Sequence, residues 1–361
     1  MKYHGYPDFK HNQHGRVGVL LTNLGTPEAP TAKALRPYLK QFLWDPRVVE
    51  VPRPLWWLIL NGIILRVRPK RSAAAYAEVW TDEGSPLLTH SLNQAKALQC
   101  ALAEPYGDQV IVDVAMRYGQ PSIGSVIDKM LSAGVRKLIV LPLYPQYSAA
   151  TTGSTFDAIA DEFKQRRWLP DFRFISHYHD HSGFIHAITN RIKAHWAEHG
   201  RTDKLLFSYH GMPQKYLENG DPYHCECHKT TRLIAEQLGL APNEYLTTFQ
   251  SRFGRDPWLQ PYTDETLKAL PQQGVKSVQI ICPGFSSDCL ETIEEIGGEN
   301  CEYFLEAGGE RYEYIPCLNA EPDHIELMRT LIEEQAKDWL TAQTQDAQQT
   351  QDLAIALGAK Q

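Results

Sequence analysis

Short apolar runs alternate with helix-like segments along most of this 361-residue chain. The runs are rich in Val, Ile and Leu, and the segments between them carry apolar residues at helical spacing. Such alternation requires crossover connections, which make the strands parallel and cover both faces of a sheet with helices. We predict strands over 17–23, 110–116, 137–144, 172–176, 205–210, 247–251, 277–285 and 312–318. We predict helices near 87–104, 121–132, 153–167, 182–198, 223–239, 262–271, 287–306 and 321–340.

Two regions interrupt this rhythm and decide the predicted architecture. Eight strands could close into a barrel, but residues 31–80 and 211–222 do not fit a regular repeat. We therefore predict an α/β protein with two Rossmann-like, doubly wound domains that are joined near residues 176–182. The predicted units are an N-terminal extension over 1–15, a first domain over 16–176, a second domain over 177–340 and a Gln-rich tail over 341–361. The tail has little to bury, so we expect a frayed helix or a disordered segment there.

Composition excludes several classes of function. A net charge of −7 argues against a nucleic-acid-binding protein, which usually has a clustered basic face. No apolar run approaches the roughly 18 residues of a membrane span, and the first residues lack the apolar core of a signal peptide. Seven irregularly spaced cysteines then suggest reduced thiols. We expect a cytoplasmic protein.

The carboxyl ends of the predicted strands are where a ligand should bind, because parallel sheets place their clefts there. These ends collect Tyr, Arg, His, Trp, Met and Glu, which predicts a cleft with aromatic walls and carboxylates. His210 follows one such strand and precedes a Gly-Met-Pro sequence. A histidine at this place can accept a proton near neutral pH or bind a metal. A packed histidine at a loop is the alternative.

An acidic run follows the seventh predicted strand. Glu291, Glu295 and Glu299 are spaced so that a helix would place them on one stripe, with Asp288 near the same side. Carboxylates on one stripe can pass a divalent cation along or hold protons with raised pKa values. A solvated helix face is the alternative, although no Lys or Arg within 288–302 neutralises the stripe.

Three further segments have simpler interpretations. Residues 144–154 lack the glycine pattern of a phosphate cradle and are predicted to be a loop with a helix cap. Residues 224–228 read HCECH, but no second ligand pair accompanies them, so reduced thiols near a loop are favoured over a metal site. Residues 42–68 are apolar and interrupted by prolines. They fit either core or an exposed lip that touches a membrane or a flat apolar ligand.

Six motifs in the same order resemble the ferrochelatase family, whose members insert Fe²⁺ into protoporphyrin IX to form protohaem in the last step of haem biosynthesis. The motifs are NLGTPE (23–28), MRYG (116–119), LYPQYSAATTGS (143–154), FSYHGMP (207–213), FQSRFGRDPWLQPYTDET (249–266) and CPGFSSDCLETIEEI (282–296). The resemblance covers roughly residues 16 to 320. It implies two Rossmann-like domains that bind no nucleotide, with a porphyrin cleft between them.

The resemblance also implies roles for individual residues. His210 and Glu291 would be the catalytic residues and the residues that meet the metal, and Glu295 and Glu299 would form a route for iron or protons on a helix that often carries a π-bulge. The residues expected to bind the substrate are Leu24, Tyr76, Arg117, Tyr118, Trp258 and Phe285. The apolar lip within 42–68 would stand beside the path by which the porphyrin enters, and peripheral contact with the inner face of the membrane would suit so insoluble a substrate.

The chain departs from the family pattern at its cysteines. Some members hold a [2Fe–2S] cluster, but the first cluster cysteine is replaced by Ala149 and no cysteine follows Cys317. We therefore expect no cluster and no required cofactor, with Fe²⁺ as a substrate. Animal members have histidine at the position of Cys289, whose role stays open, as do the roles of Cys225 and Cys227.

Alternative functions also stay open at this point. They are a coproporphyrin ferrochelatase, a cobalt or nickel chelatase for a polycarboxylated early tetrapyrrole, and a haem-binding or haem-delivery protein without catalysis. The sequence likewise leaves open whether His210 and Glu291 first bind iron or first take pyrrole protons.

Overall fold

Two parallel four-stranded sheets form the frame of the molecule. A computed structural model describes residues 3–6, 10–13, 15–254, 256–341 and 346–359. The first sheet has the order β2-β1-β3-β4 and consists of β1 (Arg16–Thr26), β2 (Val110–Gly119), β3 (Val135–Pro142) and β4 (Asp171–Phe174). The second has the order β6-β5-β7-β8 and consists of β5 (Lys204–His210), β6 (Tyr245–Gln250), β7 (Ser277–Ile281) and β8 (Arg311–Ile315). All eight predicted strands are present, and the predicted α/β class with parallel sheets is confirmed.

The helices cover both faces of each sheet. They are α1 (Ala32–Trp44), α2 (Arg53–Ile59), α3 (Leu65–Val79), α4 (Pro86–Tyr106), α5 (Ile123–Ser132), α6 (Ser154–Phe163), α7 (Ser182–His199), α8 (Gln214–Glu218), α9 (Tyr223–Leu238), α10 (Thr263–Ala269), α11 (Asn300–Glu306), α12 (Pro322–Leu340) and α13 (Ala347–Ala356). Wider, π-helical turns run over Leu60–Ile64, Ala149–Gly153 and Glu291–Glu299, and 3₁₀ turns over Gly107–Gln109 and Leu270–Gln273.

Strand β1 shows why the apolar runs in the sequence are continuous rather than alternating. Val19 and Leu21 pack into the core on one face of the first sheet, and Leu20 packs into the core on the other. Successive side chains of a strand point to opposite faces, so a strand covered on both sides must be apolar at every position. Helices α5 and α6 cover one face, while α4 and α12 cover the other.

The two sheets share one hydrophobic core. Helix α12 contacts α4 and α7 as well as strand β3, although it follows the second sheet in the chain. The same cluster of buried residues includes Leu21 of the first sheet and Phe207 of the second. The predicted domain boundaries therefore stay a prediction, because the packing does not divide the chain at one point.

The predicted lip is half core and half exposed surface. Trp56, Leu60 and Leu65 are buried against α1. The apolar side chains on the other side of the same turns are exposed, and they are Leu55, Trp57, Leu58, Ile63 and Val67. Residues 42–68 thus contribute partly to the core and partly to the exposed surface, and contact of the exposed part with a membrane or a flat ligand stays a prediction. Among the described residues, no helix combines the length and the hydropathy needed to cross a membrane.

The Gln-rich tail carries the short helix α13, which has no buried residue. This agrees with a helix that has little to pack against. Residues 342–345 and 360–361 of the predicted tail, and residues 1–2, 7–9 and 14 of the predicted N-terminal extension, lie outside the described residues.

Candidate active site

His210 is the last residue of β5 and is half-buried. Its Nδ1 lies 2.7 Å from the carbonyl oxygen of Gly211. A carbonyl only accepts hydrogen bonds, so Nδ1 carries the proton of the neutral ring and Nε2 keeps a free lone pair. The backbone thus fixes the tautomer that a proton acceptor or a metal ligand requires.

Phe285 and Trp258, two of the residues predicted to bind the substrate, lie near His210. The Phe285 ring centroid lies 6.4 Å from that of His210. The indole of Trp258 lies against Gly211, where an added Cβ would come within 3.1 Å of the indole and 2.7 Å of the Gln250 carbonyl oxygen. Glycine at position 211 therefore permits the close approach that places Trp258 beside the histidine.

Gln250 connects His210 to the acidic segment. It ends β6 and is the register partner of His210 across the strand pair. Its side-chain amide donates to the backbone oxygen of Glu291 at 2.8 Å, and it accepts from the Ser208 hydroxyl at 2.8 Å. His210 and the start of the acidic segment thus lie at the same sheet edge, as predicted from the strand ends.

The acidic segment is a nine-residue π-helical stretch that begins at Glu291. Such wide turns are rare and are frequent at functional sites. Glu291 is half-buried, and the preceding residue, Leu290, packs against the apolar cluster of the first half that contains Tyr38 and Tyr76. Burial raises the pKa of both tyrosine hydroxyls above their usual range, and the charge of Glu291 adds to both shifts. Glu291 therefore lies at the junction of the two halves.

Glu295 is the next glutamate of the stripe, and a single neighbouring residue binds its carboxylate. Its carboxylate accepts from the backbone N–H of Ser251 at 2.7 Å and from the hydroxyl of the same residue. The pKa of Glu295 is raised to about 7, mainly by burial and in part by the charges of Glu291 and Glu299, although the two hydrogen bonds from Ser251 oppose the rise. Ser251 itself has a φ of +63°, an uncommon conformation for a residue other than glycine.

Glu299 ends the stripe at the surface. It is exposed and accepts a hydrogen bond from the Tyr303 hydroxyl at 2.6 Å. The three glutamates therefore run from the cleft to solvent. Cys289, next to Glu291, is buried, and burial followed by the nearby charge of Glu291 raises the pKa of its thiol. The residue is a neutral thiol near neutral pH and a poor metal ligand.

Asp288 does not join this stripe, contrary to expectation. It is buried, and its carboxylate accepts from the Tyr314 hydroxyl at 2.5 Å, from the Asn319 amide at 2.7 Å, and more weakly from the Thr292 hydroxyl and the Cys317 backbone N–H. Four donors satisfy this carboxylate, so it fixes the loop before the π-helical stretch.

The first half supplies the facing wall. Leu24, Tyr76 and Tyr118 pack in one apolar cluster, and Leu290 of the second half packs against the same cluster. The predicted wall residues Leu24, Tyr76 and Tyr118 therefore lie in the same cluster as Leu290, the residue that precedes Glu291. Gln94 of α4 strengthens this junction, because its buried side-chain amide donates to the carbonyl oxygens of Ser286 and Asn319.

Arg117 is held by a carboxylate that sequence reasoning missed. Its guanidinium lies 2.6 Å from Asp45, which also accepts from the Tyr118 hydroxyl at 2.8 Å and the Ser154 hydroxyl at 2.6 Å. Burial would raise the pKa of Asp45, but the bonds from Ser154, the Arg47 backbone and Tyr118, with the charge of Arg117, lower it. The signal available in the sequence was that Asp45 is one of two carboxylates, with Glu50, in the otherwise apolar segment 42–68.

The fold matches that of known chelatases. The structure of SirB from Bacillus subtilis with Fe³⁺ superposes with a TM-score of 0.52 at 11% identity, and the match covers 90% of this chain and 98% of that chain. A multi-domain protein from Deinococcus radiodurans that is described as similar to chelatases gives a TM-score of 0.50 at 11% identity, with 95% of this chain and 60% of that chain covered. The chain shares its fold with these two proteins.

The sequence comparisons name the family. The sequence model of the ferrochelatase family matches residues 16–336. A protein named ferrochelatase from Idiomarina loihiensis is 68% identical over 94% of this chain and 93% of its own length. One from Pseudoalteromonas atlantica is 61% identical over 99% of both chains. The chain belongs to the ferrochelatase family.

Proposed function

We propose that this protein is a ferrochelatase that inserts Fe²⁺ into protoporphyrin IX and forms protohaem. The observation that carries the proposal is that His210, whose Nδ1 is held by a backbone carbonyl, and Glu291 lie at one sheet edge, where Gln250 is the register partner of the first and binds the backbone of the second. High sequence identity to proteins named ferrochelatase, over nearly the full length of both chains, supports the proposal. Fe²⁺ is a substrate here, and the reaction as proposed requires no resident cofactor.

Metal insertion requires the loss of two pyrrole protons. A neutral imidazole is a suitable acceptor near pH 7, and the Gly211 carbonyl already holds the proton of His210 on Nδ1. Nε2 of His210 is therefore the atom that takes a pyrrole proton. As Fe²⁺ enters the ring, two protons leave it, so the net charge at the ring centre does not change.

The cleft promotes the reaction by straining the ring. A flat macrocycle keeps its nitrogen lone pairs in the plane, whereas a bent ring presents them to the metal. Apolar walls that fit the bent ring better than the flat one supply this strain from binding energy. Trp258 and Phe285 beside His210, and Leu24 with Tyr76 opposite, provide such walls.

The glutamates provide the route to solvent. Glu291 holds iron or a proton beside the ring, and Glu295, with a pKa raised to about 7, can take up and release a proton at neutral pH. Glu299 completes the route at the surface. Arg117 and Tyr118 stay predicted substrate contacts, but any propionate has to share the guanidinium with Asp45.

The lip suits peripheral contact with a membrane on its cytoplasmic side. The exposed side chains of Trp57, Leu58 and Ile63 lie on the same segment as the exposed cations Arg66 and Lys70. Apolar side chains flanked by basic residues favour an interface with anionic lipids. A protein placed there would receive a poorly soluble porphyrin directly from the membrane.

Anaerobic incubation with Fe²⁺ tests the proposal and its alternatives. Protoporphyrin IX and coproporphyrin III are supplied separately, and the shift of the Soret band reports metal insertion. We expect faster metallation of protoporphyrin IX. Faster turnover of coproporphyrin III would reassign the substrate, and haem binding without metallation of either porphyrin would indicate a delivery protein.

A further inference from the structure

A second group of potential metal ligands lies outside the candidate active site. Nδ1 of His177 is 2.8 Å from one carboxylate oxygen of Glu226, and Nδ1 of His179 is 3.2 Å from the other. One ligand atom from each of the three residues lies within 4.8 Å of the other two. The two imidazole rings meet edge to face, with centroids 5.2 Å apart.

His179 is the observation that points to a ligand. The residue is 5% exposed, and its Nδ1 is buried without a hydrogen-bond partner, although Glu226 is close. A buried ring nitrogen without a partner loses the hydrogen bond that it would make in water, which destabilises the folded state. A cation between His177, His179 and Glu226 would satisfy this nitrogen.

The three residues come from segments that the fold holds in place. His177 and His179 lie on the connection between β4 and α7, where the chain passes from the first sheet to the second. Glu226 lies in the first turn of α9, and its carboxylate accepts from the backbone N–H of Tyr147 at 2.7 Å. The pKa of Glu226 is lowered, because this bond and the two histidines outweigh the effect of burial, so the side chain is a carboxylate near neutral pH.

We infer that His177, His179 and Glu226 bind a divalent first-row cation of the Fe²⁺, Co²⁺ or Zn²⁺ class. Two imidazoles and one carboxylate are ligands that these cations accept, and three protein ligands leave coordination positions open to water. Ligand atoms 2.8 and 3.2 Å apart need only small shifts to surround a metal at about 2.0–2.2 Å. Binding displaces the proton of His177 that now faces Glu226.

This site differs from the metal site considered from the sequence at residues 224–228, where reduced thiols were favoured over a metal. Of that motif only Glu226 takes part. Cys225 is exposed whereas Cys227 is fully buried, so their thiols lie on different sides of α9. His224 and His228 pack against each other and against Phe249.

The proposed cation would join the two halves of the molecule. It would link the connection after β4 to α9, and Glu226 already binds the loop after β3 through Tyr147. Nearby, Asp221 accepts from the Ala149 backbone N–H at 2.7 Å, so the same loop is held twice. A cation that binds only the folded protein raises its stability in proportion to the logarithm of the metal concentration.

Titration of the metal-free, full-length protein with Co²⁺ tests the inference. The visible absorption of bound Co²⁺ reports the site, and Zn²⁺ is then added as a competitor. The test variants are His177→Ala and Glu226→Gln. The first replaces a half-exposed side chain, and the second keeps an oxygen that can accept from Tyr147. His186→Ala is the matched control, because it removes an exposed histidine that is not one of the three ligands.

We expect each test variant to weaken Co²⁺ binding at this site at least about tenfold, and the control to change it by less than about twofold. His210→Ala should retain the site, since the two sites share no residue. Zn²⁺ should raise the melting temperature of the wild type more than that of His177→Ala. Undiminished Co²⁺ binding when both test substitutions are made in the His210→Ala background, which lacks the active-site histidine, or loss of all Co²⁺ binding in His210→Ala itself, would overturn the inference. So would a wild type that binds no Co²⁺, which would leave a hydrogen-bonded His–Glu group without a metal.

Discussion

The two halves of the molecule treat their buried carboxylates differently. In the first half, Asp45 faces the guanidinium of Arg117 and accepts hydrogen bonds from Tyr118 and Ser154, and its pKa is lowered. In the second half, Glu295 has carboxylates as its charged neighbours, and burial raises its pKa to about 7. A paired carboxylate keeps its charge and fixes structure, whereas an unpaired one can exchange a proton near neutral pH.

Asp288 shows that burial alone does not decide whether a carboxylate is structural or reactive. It lies three residues before Glu291 and is also buried, but four donors satisfy it. Its partner Asn319 adopts a positive φ of 45°, which asparagine tolerates better than most residues. The carboxylate of Glu295, by contrast, accepts from Ser251 alone among the described residues and has Glu291 and Glu299 as charged neighbours. The number of donors and the sign of the neighbouring charges, rather than depth, separate the structural carboxylates from those proposed to react.

Among the residues proposed to react, His210→Ala should have the largest effect on the rate of metal insertion. The variant should keep porphyrin binding, because the aromatic walls remain, and lose metal insertion by about 10²–10⁴-fold, the usual contribution of a general base. Porphyrin fluorescence quenching measures binding, and the anaerobic Soret assay measures turnover. Near-wild-type turnover with Fe²⁺ would remove His210 from the mechanism.

Among the carboxylates that fix structure, Asp45→Ala should have the largest effect on stability. Removal of Asp45 leaves Arg117 partly buried without its counter-ion, which should lower the free energy of unfolding by about 3–5 kcal/mol. Urea unfolding measures the loss. Asp161→Ala, which breaks an exposed pair with Lys164, is the control and should cost at most about 1 kcal/mol. Equal losses in the two variants would contradict a special role for the buried pair.

The glutamates should show a graded loss of turnover. Glu291→Ala removes the carboxylate that faces the cleft, so we expect a loss of about a hundredfold, within the range of a group that handles protons beside the substrate. Glu295→Ala, one turn further from the cleft, should cost less, about tenfold. Both rates come from the Soret assay with protoporphyrin IX and Fe²⁺. Equal losses would argue against a route that runs from Glu291 to Glu295.

The smallest predicted effect is a change in how stability depends on pH. The folded protein holds the Glu295 proton up to pH about 7, whereas the unfolded chain releases it near 4.5. The stability that this proton contributes is present below pH 4.5 and is lost as the pH rises through about 7. Glu295→Gln cannot ionise, so its urea midpoint should fall less than that of the wild type between pH 5 and pH 8. Parallel midpoints would mean that Glu295 titrates normally.

Much of the frame could be predicted because it depends on local patterns. All eight strands follow from continuous apolar runs, and the positions of His210 and Glu291 follow from the rule that strand ends meet at one edge. Contacts between distant segments could not be predicted in this way. Asp45 and Arg117 are 72 residues apart in the chain, and His177 and Glu226 are 49 apart, so no periodicity connects them.

The direction in which individual side chains point could not be predicted from the sequence either. Asp288 was expected near the glutamate stripe, but it turns toward Tyr314 and Asn319 because the chain has not yet entered the π-helical stretch. Residues 42–68 were open to two interpretations, core and exposed lip, for the same reason. Helical turns place Trp56 inside and Trp57 outside, and the sequence alone does not tell which face meets the core.

Difference infrared spectroscopy between the wild type and Glu295→Gln tests the central contrast most directly. The carbonyl band of the protonated carboxyl group reports the state of Glu295 as the pH is varied. We expect this band to disappear with a midpoint near pH 7, as a buried carboxyl group without a cationic partner requires. A midpoint at or below 4.5, the ordinary value for glutamate, would show that Glu295 is as well satisfied as Asp45 and would contradict the account.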